Sequence, residues 1–429
     1  MAPELSRRLF LGGALAAAAL PTGTARASAI PDPVRHLRTS WSADPFARCS
    51  YSYLAPSPLG TDVRPMLAAP VGRLHFAGEA TSAEAPATTH GALESGRRAA
   101  REVLAEGARS VVVVGSGFAG TACARALADR GVAVTVLEAR DRVGGRIWTA
   151  RLGELPADLG ASWIHGQQHN PVTDLLNATG DRRHRFDHGN ADGRDQAAFA
   201  ELARYQDKLD GLPRPTEVPV ATVFPDPAPT ALAYAASVVY SQEYGADIED
   251  LSAHAEQEGR AARGGDLLLP DGYDRLLAHL RGEVGIRIRA VVQSVGQRAD
   301  GVRLTLTGGE TVEADRVVLT VPIGVLKAGT ISFDPPLPQA KRQAISTIGA
   351  GLLDKLWLEF PKRFWPADAD VLDWCDPHSP GRWSWWVNGY KLFGRPILLG
   401  FNSGREARRL ANAPDREVVA SALDALRRR

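Results

Sequence analysis

The hydrophobic pattern is sharpest about a quarter of the way along the chain. Val111-Val112-Val113-Val114 is an unbroken β-branched run, the pattern of a strand buried on both faces. An amphipathic helix over 118–130 follows and stops at Gly131, and Val132 to Leu137 reads as a second buried strand. Strand, helix and strand in that order predict the βαβ unit of a doubly wound sheet. Upstream, Arg73-Leu74-His75-Phe76-Ala77 predicts a short strand. A helix is predicted from about His90 through Arg97 and Arg98 to about Ala105, with Gly107 ending it. Residues 168–260 are more polar and richer in Ala, Asp and Pro, with helices predicted around 197–210 and 228–243. Apolar and polar positions alternate from Val302 to Val321 around Gly308-Gly309, a hairpin signal. Residues 352–403 are dense in Trp and aliphatic residues, and the tail from Glu406 predicts a basic helix ending in Arg427-Arg428-Arg429.

The 429 residues exceed one simple core and suit two interleaved domains. Lys plus Arg (50) balances Asp plus Glu (49), so no global field attracts nucleic acid or acidic lipid, and a nucleic-acid partner is disfavoured. The amino terminus reads as a leader. Ser6-Arg7-Arg8-Leu9-Phe10-Leu11 is a twin-arginine pattern, followed by the apolar run Leu11 to Leu20 and the small-residue site Ala25-Arg26-Ala27. The run falls short of the ~20 residues a membrane span needs, so no stable membrane anchor is expected. This leader implies export by the twin-arginine machinery to an extracellular, periplasmic or cell-wall location. Cys49, Cys123 and Cys375 are odd in number and widely spaced, which supports neither a disulfide framework nor a metal site. Cys123 falls on the apolar face of the 118–130 helix and reads as packing.

Gly115-x-Gly117-x-x-Gly120 is a weak signal by itself in a chain with 42 glycines. Here it follows a buried strand and opens a helix, so the backbone can approach a pyrophosphate at the helix amino terminus. Glu138 closes the second strand where a carboxylate can hold a ribose hydroxyl. A dinucleotide is the ligand this combination predicts.

The residues that follow, Glu138-Ala139-Arg140-Asp141-Arg142-Val143-Gly144-Gly145-Arg146, resemble the extended fingerprint of the flavin amine oxidase superfamily. That superfamily includes monoamine oxidases, polyamine oxidases, L-amino acid oxidases and flavin-dependent lysine demethylases. The resemblance implies FAD, with Gly145 letting a loop pass close to it and Arg140 and Arg146 pairing with its phosphates. Asp158-Leu159-Gly160-Ala161-Ser162-Trp163-Ile164-His165-Gly166 is similar to the family's next flavin loop in its polyamine-oxidase form. Leu269-Pro270-Asp271-Gly272-Tyr273 and Val321-Pro322-Ile323-Gly324-Val325-Leu326 match further family segments, and Val291 sits where a family valine meets the adenine. Lys355, in Leu353-Asp354-Lys355-Leu356, aligns with the lysine that holds a water at flavin N5; its bland alternative is a surface lysine at a strand edge.

The amino-terminal block resembles the rest of the family's site. Phe76-Ala77-Gly78-Glu79-Ala80-Thr81 is similar to the signature under the flavin, with Glu79 on the ribityl or pyrophosphate side. Thr88-Thr89-His90-Gly91-Ala92 resembles the start of the helix aimed at the isoalloxazine carbonyls. Trp41 to Phe46 and Ser50 to Tyr53 resemble the segment carrying an aromatic wall. Tyr51 and Thr88 align with the two cage positions before the flavin, a pair closer to polyamine oxidases and lysine demethylases than to monoamine oxidases. His165 aligns with an entrance histidine, or caps a loop. Trp374, Trp383, Trp385, Trp386 and Tyr390 would line a tunnel or form a packed strand. No cysteine occurs from Ser82 to Pro86, so non-covalent FAD is expected.

In relatives this block ends the chain; here it precedes the glycine fingerprint, a circularly permuted order. Permutation requires the old termini to lie close together, with only about two or three residues around Gly107 bridging them. The implied fold is α/β: a Rossmann-type FAD-binding domain interleaved with an α+β substrate domain, as in p-hydroxybenzoate hydroxylase. On this division 1–29 is the leader, 30–107 the permuted block shared by both domains and 108–167 the FAD-binding βαβ. Residues 168–260 form a substrate-side helical insertion, 261–330 an FAD-domain segment with the hairpin, and 331–429 substrate-domain strands and the terminal helix. The implied activity is oxidation of a polyamine or primary amine with O₂ as acceptor, giving an imine, then an aldehyde, and H₂O₂. Two alternatives stand beside it. An L-amino acid oxidase needs a pocket arginine, for which Arg382 or Arg395 are candidates; the other is a flavin-binding protein that has lost catalysis.

Overall fold

A computed structural model describes residues 30–213, 217–260 and 262–429. The twin-arginine leader predicted over 1–29 lies outside the described residues. Two sheets organise the α/β fold. The first is a five-stranded parallel sheet in the order Ile286–Arg287, Ala133–Leu137, Ser110–Val114, Arg316–Leu319, Leu74–Phe76. Val111 and Val113 pack against the helices Thr89–Ala105 and Phe118–Ala128, while Val112 and Val114 face a second core. This two-sided burial is what the unbroken valine run demands.

Ala133–Leu137 differs from expectation: Ala133 and Thr135 are exposed. Its outer neighbour has only two residues and pairs with Val136 and Leu137 alone, so the first half of the strand is an open edge. The hairpin also differs. Val302–Leu306 and Thr311–Ala314 pair around Gly308 and Gly309, both at positive φ, but Arg316–Leu319 leaves the hairpin to pair between Ser110–Val114 and Leu74–Phe76 in the parallel sheet.

The second sheet has six strands in the order Arg35–Arg38, Leu353–Glu359, Ile397–Ser403, Trp385–Asn388, Val371–Asp373, Ala191–Asp192. Strand periodicity splits its side chains between two faces. Leu356, Leu358, Leu398 and Trp386 turn outward onto Val418, Ala422, Leu423 and Leu426 of the helix Asp415–Arg427. Lys355, Trp385 and Phe401 turn inward to a cavity. The basic tail is two helices, Gly404–Leu410 and Asp415–Arg427, because Pro414 starts a new helix and cannot continue the old one. The predicted 228–243 helix contains a wide π turn at Ser237–Ser241. Strands Arg35–Arg38 and Leu74–Phe76 each edge one of the two sheets, so the amino-terminal block belongs to both. Among the described residues no helix is long and apolar enough to cross a membrane.

One glycine sets how closely the two helices beside the valine strand approach. A Cβ on Gly96 would stand 2.0 Å from the main-chain oxygen of Ala119. Backbone cannot yield as a side-chain tip can, so Gly96→Ala is expected to destabilise the protein by about 1–3 kcal/mol. Thermal unfolding should show a Tm loss of several degrees, against little change for Glu94→Ala on the same helix. Equal Tm values would refute the close contact.

Candidate active site

The parallel strands end level with one another: Phe76, Leu319, Val114 and Leu137 lie in one row. The residues just beyond them, Gly78, Thr320, Gly115 and Glu138, line a cavity of about 580 Å³. Ligands of doubly wound sheets sit at such carboxyl ends. At one end of the cavity the chain forms a cradle of backbone. Gly115 has φ +104°, and a Cβ there would meet Thr320 Oγ1 at 2.6 Å. Gly117 caps the helix Phe118–Ala128 with no side chain, which leaves first-turn N–H groups for an anion. Gly120 does not line the cavity; its missing Cβ lets the helix pass over the Gly115 carbonyl, which it would otherwise meet at 1.9 Å. Gly145 has φ +57° and brings its loop beside Gly117.

Glu138 closes this end. Its carboxylate accepts from Ser116 N (3.0 Å), Ser116 Oγ (2.7 Å) and Arg140 N (3.0 Å), which fixes its orientation and leaves lone pairs for a hydroxyl. Val291 lines the same end. The two arginines expected on phosphates are held by carboxylates of the protein. Arg140 pairs with Asp44 at 2.7 Å, and Arg146 with Glu79 at 3.0 Å and the Ser50 carbonyl at 2.9 Å. Both still line the cavity. Burial works against the charge of Glu79, but Arg146, Ser52 and Arg64 outweigh it and hold the carboxyl below its ordinary range.

At the other end, Lys355 is buried in a central strand, which removes the surface-lysine reading. Its ammonium donates to the main-chain oxygens of Asp158 (3.0 Å) and Gly160 and to Ser162 Oγ. The Asp158 carboxylate accepts from Thr149 Oγ1 and, at 3.1 Å, from Tyr273 N. Burial dominates for both groups: Lys355 is pushed down to about 7 although Asp158 supports its charge, and Asp158 is pushed up to about 6.

Aromatic rings wall this end. Trp163, Trp385 and Phe401 have centroids 5.2–6.2 Å apart, and Trp41 stands edge-on to Trp148. Tyr51 lines the cavity and donates its hydroxyl to the Gln242 carbonyl at 2.8 Å. Thr88 lines it too, but its hydroxyl is the N-cap of Thr89–Ala105, accepting from Gly91 N and donating to the Ala85 carbonyl. Thr89 meets the Tyr273 hydroxyl at 2.7 Å. Ala161 lies in the wall, and His165, its side chain half-exposed, stacks on Trp163 and faces Asp266.

Apart from Gly120, every residue assigned from sequence to the flavin or to catalysis lines this one cavity. Of the proposed tunnel aromatics only Trp385 does so; Trp374, Trp383 and Trp386 pack on the outer face, and Tyr390 lies against Arg363. Sequence reasoning missed Gln242, Glu243, His188 and Asp266, which also line it. For the first pair the available signal was Gly245, a left-handed helix stop at φ +65°.

Residues 14–104, 118–230 and 225–428 match the family model described as flavin containing amine oxidoreductase. The chain is 31% identical over 365 residues to polyamine oxidase 2 of Arabidopsis thaliana, covering 74% of this chain and 72% of that one. It is 29% identical over 358 residues to lysine-specific histone demethylase 1B of Mus musculus, covering 74% of this chain and 43% of that one. Among solved structures, a putrescine oxidase redesigned in its cofactor binding shares the fold at TM-score 0.61 with 23% identity, over 75% of this chain and 81% of that one. Cyclohexylamine oxidase from Brevibacterium oxydans shares it at TM-score 0.59 with 21% identity, over 74% and 80%. The backbone cradle and the oriented Glu138 fit a dinucleotide, and with a family match over most of its length the chain belongs to the flavin-containing amine oxidoreductases, as an FAD-dependent amine oxidase.

Proposed function

We propose that this protein oxidises a polyamine or a primary amine, with O₂ as the acceptor. The net reaction consumes amine, O₂ and water, and yields an aldehyde, the released amine or ammonia, and H₂O₂. The observation that carries this reading is the cavity end where buried Lys355 faces an aromatic wall of Trp163, Trp385, Phe401 and Tyr51. FAD would lie with its adenine end at Val291, its pyrophosphate on Gly115 and Gly117, and its ring system between Thr88–Thr89 and Lys355. When bound, FAD supplies hydride acceptance from the carbon beside the amine nitrogen.

The chain's own residues do the rest. Glu138 and Glu79 orient the cofactor chain. The aromatic wall excludes water and disfavours the ammonium form, so the amine sits neutral where it must react. Lys355, whose proton affinity is lowered by burial, is placed to hold or move a proton at Nζ. Arg382 pairs with Asp376 at 3.6 Å and Arg395 with Glu359, and neither lines the cavity, so neither is placed to clamp an amino acid carboxylate there. None of the three cysteines lines it either, in keeping with non-covalent FAD.

On the same reading the α/β fold divides into a Rossmann-type FAD domain interleaved with a substrate domain. The chain order is a circular permutation: Thr89–Ala105 passes into Ser110–Val114 by a short turn at Gly107, φ +69°. Export through the twin-arginine route is part of the proposal, and fractionation of cells expressing the full chain would test it.

The direct test is H₂O₂ release by purified FAD-loaded protein across spermidine, spermine, benzylamine and a panel of L-amino acids. Turnover of amines and not of amino acids is expected; turnover of amino acids alone, or of nothing, would overturn the reading. Lys355→Met is expected to lower kcat/KM about 10²-fold with FAD still bound. In Asp158→Asn the loss of charge removes support for the Lys355 ammonium, so a limb of kcat/KM near pH 7 should move to lower pH. The same limb should be absent in Lys355→Met. A limb that stays put in both variants belongs to another group.

A further inference from the structure

The segment Leu269-Pro270-Asp271-Gly272-Tyr273 stands behind the cavity wall and holds it at two places. Gly272 has φ +97°, and a Cβ there would meet Thr149 Cγ2 at 2.7 Å, so glycine lets this turn close on the strand Thr149–Leu152. Tyr273 then opens the helix Asp274–Arg281. Its main-chain N–H donates to Asp158 Oδ1 at 3.1 Å, and its hydroxyl meets Thr89 Oγ1 at 2.7 Å. Tyr273 is fully buried and does not line the cavity, whereas Thr89 does.

The direction of the hydrogen bond between the two hydroxyls follows from their surroundings. The Tyr273 ring belongs to an apolar cluster with Leu93, Leu276 and Phe118, whose ring centre is 5.9 Å away. Among the described residues Thr89 is the one hydrogen-bond partner of the phenol. Were Thr89 the donor, the phenolic proton would be buried without an acceptor, a costly state. Tyr273 is therefore the donor, and burial raises its phenol above the ordinary range, so the proton stays in place. Thr89 accepts with one lone pair, which leaves its own proton for the cavity.

Thr88, its neighbour, is different. Its hydroxyl accepts from Gly91 N and donates to the Ala85 carbonyl, so its proton is spent within the helix cap. Of the two threonines at the start of Thr89–Ala105, Thr89 is the one with a proton to offer a ligand. It stands at the first helical position, where open N–H groups and the helix dipole already favour negative charge.

We infer that Tyr273 is a positioning residue for the flavin: by donating to Thr89 it makes the threonine hydroxyl a fixed donor to the ring system, which favours the reduced cofactor. Hydride loss takes two electrons and one proton from the substrate carbon, leaving an iminium cation. The same hydride adds one negative charge to the ring system, and a donor already aimed at it stabilises that charge. This inference rests on the placement of the ring at Thr88–Thr89 in the proposed function, and it holds whichever amine is oxidised.

The test is the reduction potential of FAD in the purified holoenzyme, read by equilibration with a reference dye. Thr89→Val should lower the equilibrium constant for reduction about tenfold, the size of one lost hydrogen bond. For a two-electron couple that is a potential about 30 mV more negative. Thr89→Ser keeps the hydroxyl and should stay within about twofold of the unmodified protein. Tyr273→Phe keeps the ring packing and the N–H on Asp158, and removes only the phenolic donor. It should shift the potential the same way by a smaller factor, because Thr89 keeps its proton but loses its fixed aim. The double variant should match Thr89→Val alone, since Tyr273 acts through Thr89. A lower Tm in Tyr273→Phe with an unchanged potential would show a merely structural phenol and sink the inference alone. Shifts that add in the double variant would show that Tyr273 reaches the flavin by another route, which also overturns it. An unchanged potential in Thr89→Val would show that the ring lies elsewhere, and the inference then falls together with that placement.

Discussion

The ion pair between Arg146 and Glu79 ties the segment after the glycine fingerprint to the amino-terminal block. Both groups border the cavity, and Glu79 is further held by Ser52 Oγ at 2.6 Å and Ala87 N at 3.1 Å. Removing one partner would leave a buried charge uncompensated, a cost of about 3–5 kcal/mol. The constraint spreads outward. Ser52 also accepts from Arg64 at 2.8 Å, and buried Arg64 pairs with buried Glu258 beside the cavity-lining Arg260. One chain of charges therefore fixes the floor of the cofactor site, the strand that carries Tyr51, and the loop near the cavity rim. None of these groups can move alone.

The amino-terminal block is likewise tied by contact to parts of the chain far from it in sequence. Leu74–Phe76 edges the parallel sheet and Arg35–Arg38 edges the antiparallel one. Both are held by main-chain pairing, and the Arg35–Arg38 segment also by groups far along the sequence: Thr39 Oγ1 accepts from Lys355 N at 2.8 Å, and Arg35 meets Glu359 at 2.8 Å. A block held by such cross-links needs only a short connection to the strand that follows it in the chain.

What could be read in advance was the local chemistry. Valine runs, glycine spacing and the terminal Glu138 depend on residues within about thirty positions of one another, so strand, turn and helix follow from the sequence directly. Positions that resembled family motifs, including Lys355, Tyr51 and Glu79, converged on the cavity for the same reason: each motif is a backbone shape with a side chain attached. What escaped was set by pairing between distant strands. Asp266 carries no motif and becomes a site residue only because its register sets it level with His165. Gln242 and Glu243 follow a π turn whose wider pitch re-aims the side chains after it, and no propensity scale marks that turn. The Trp-rich stretch could be read as a tunnel or a core because strand alternation sends neighbours to opposite faces, and Trp385 and Trp386 show both outcomes side by side.

The same alternation divides the work of the cavity. Trp163 separates two polar centres of opposite character. On one side, burial pulls the Lys355 ammonium towards neutrality; on the other, two imidazoles keep the Asp266 carboxylate charged. Burial sets the first balance and hydrogen-bonded partners set the second, so within the reach of one indole the same cavity holds a group driven towards neutrality and a group kept ionised.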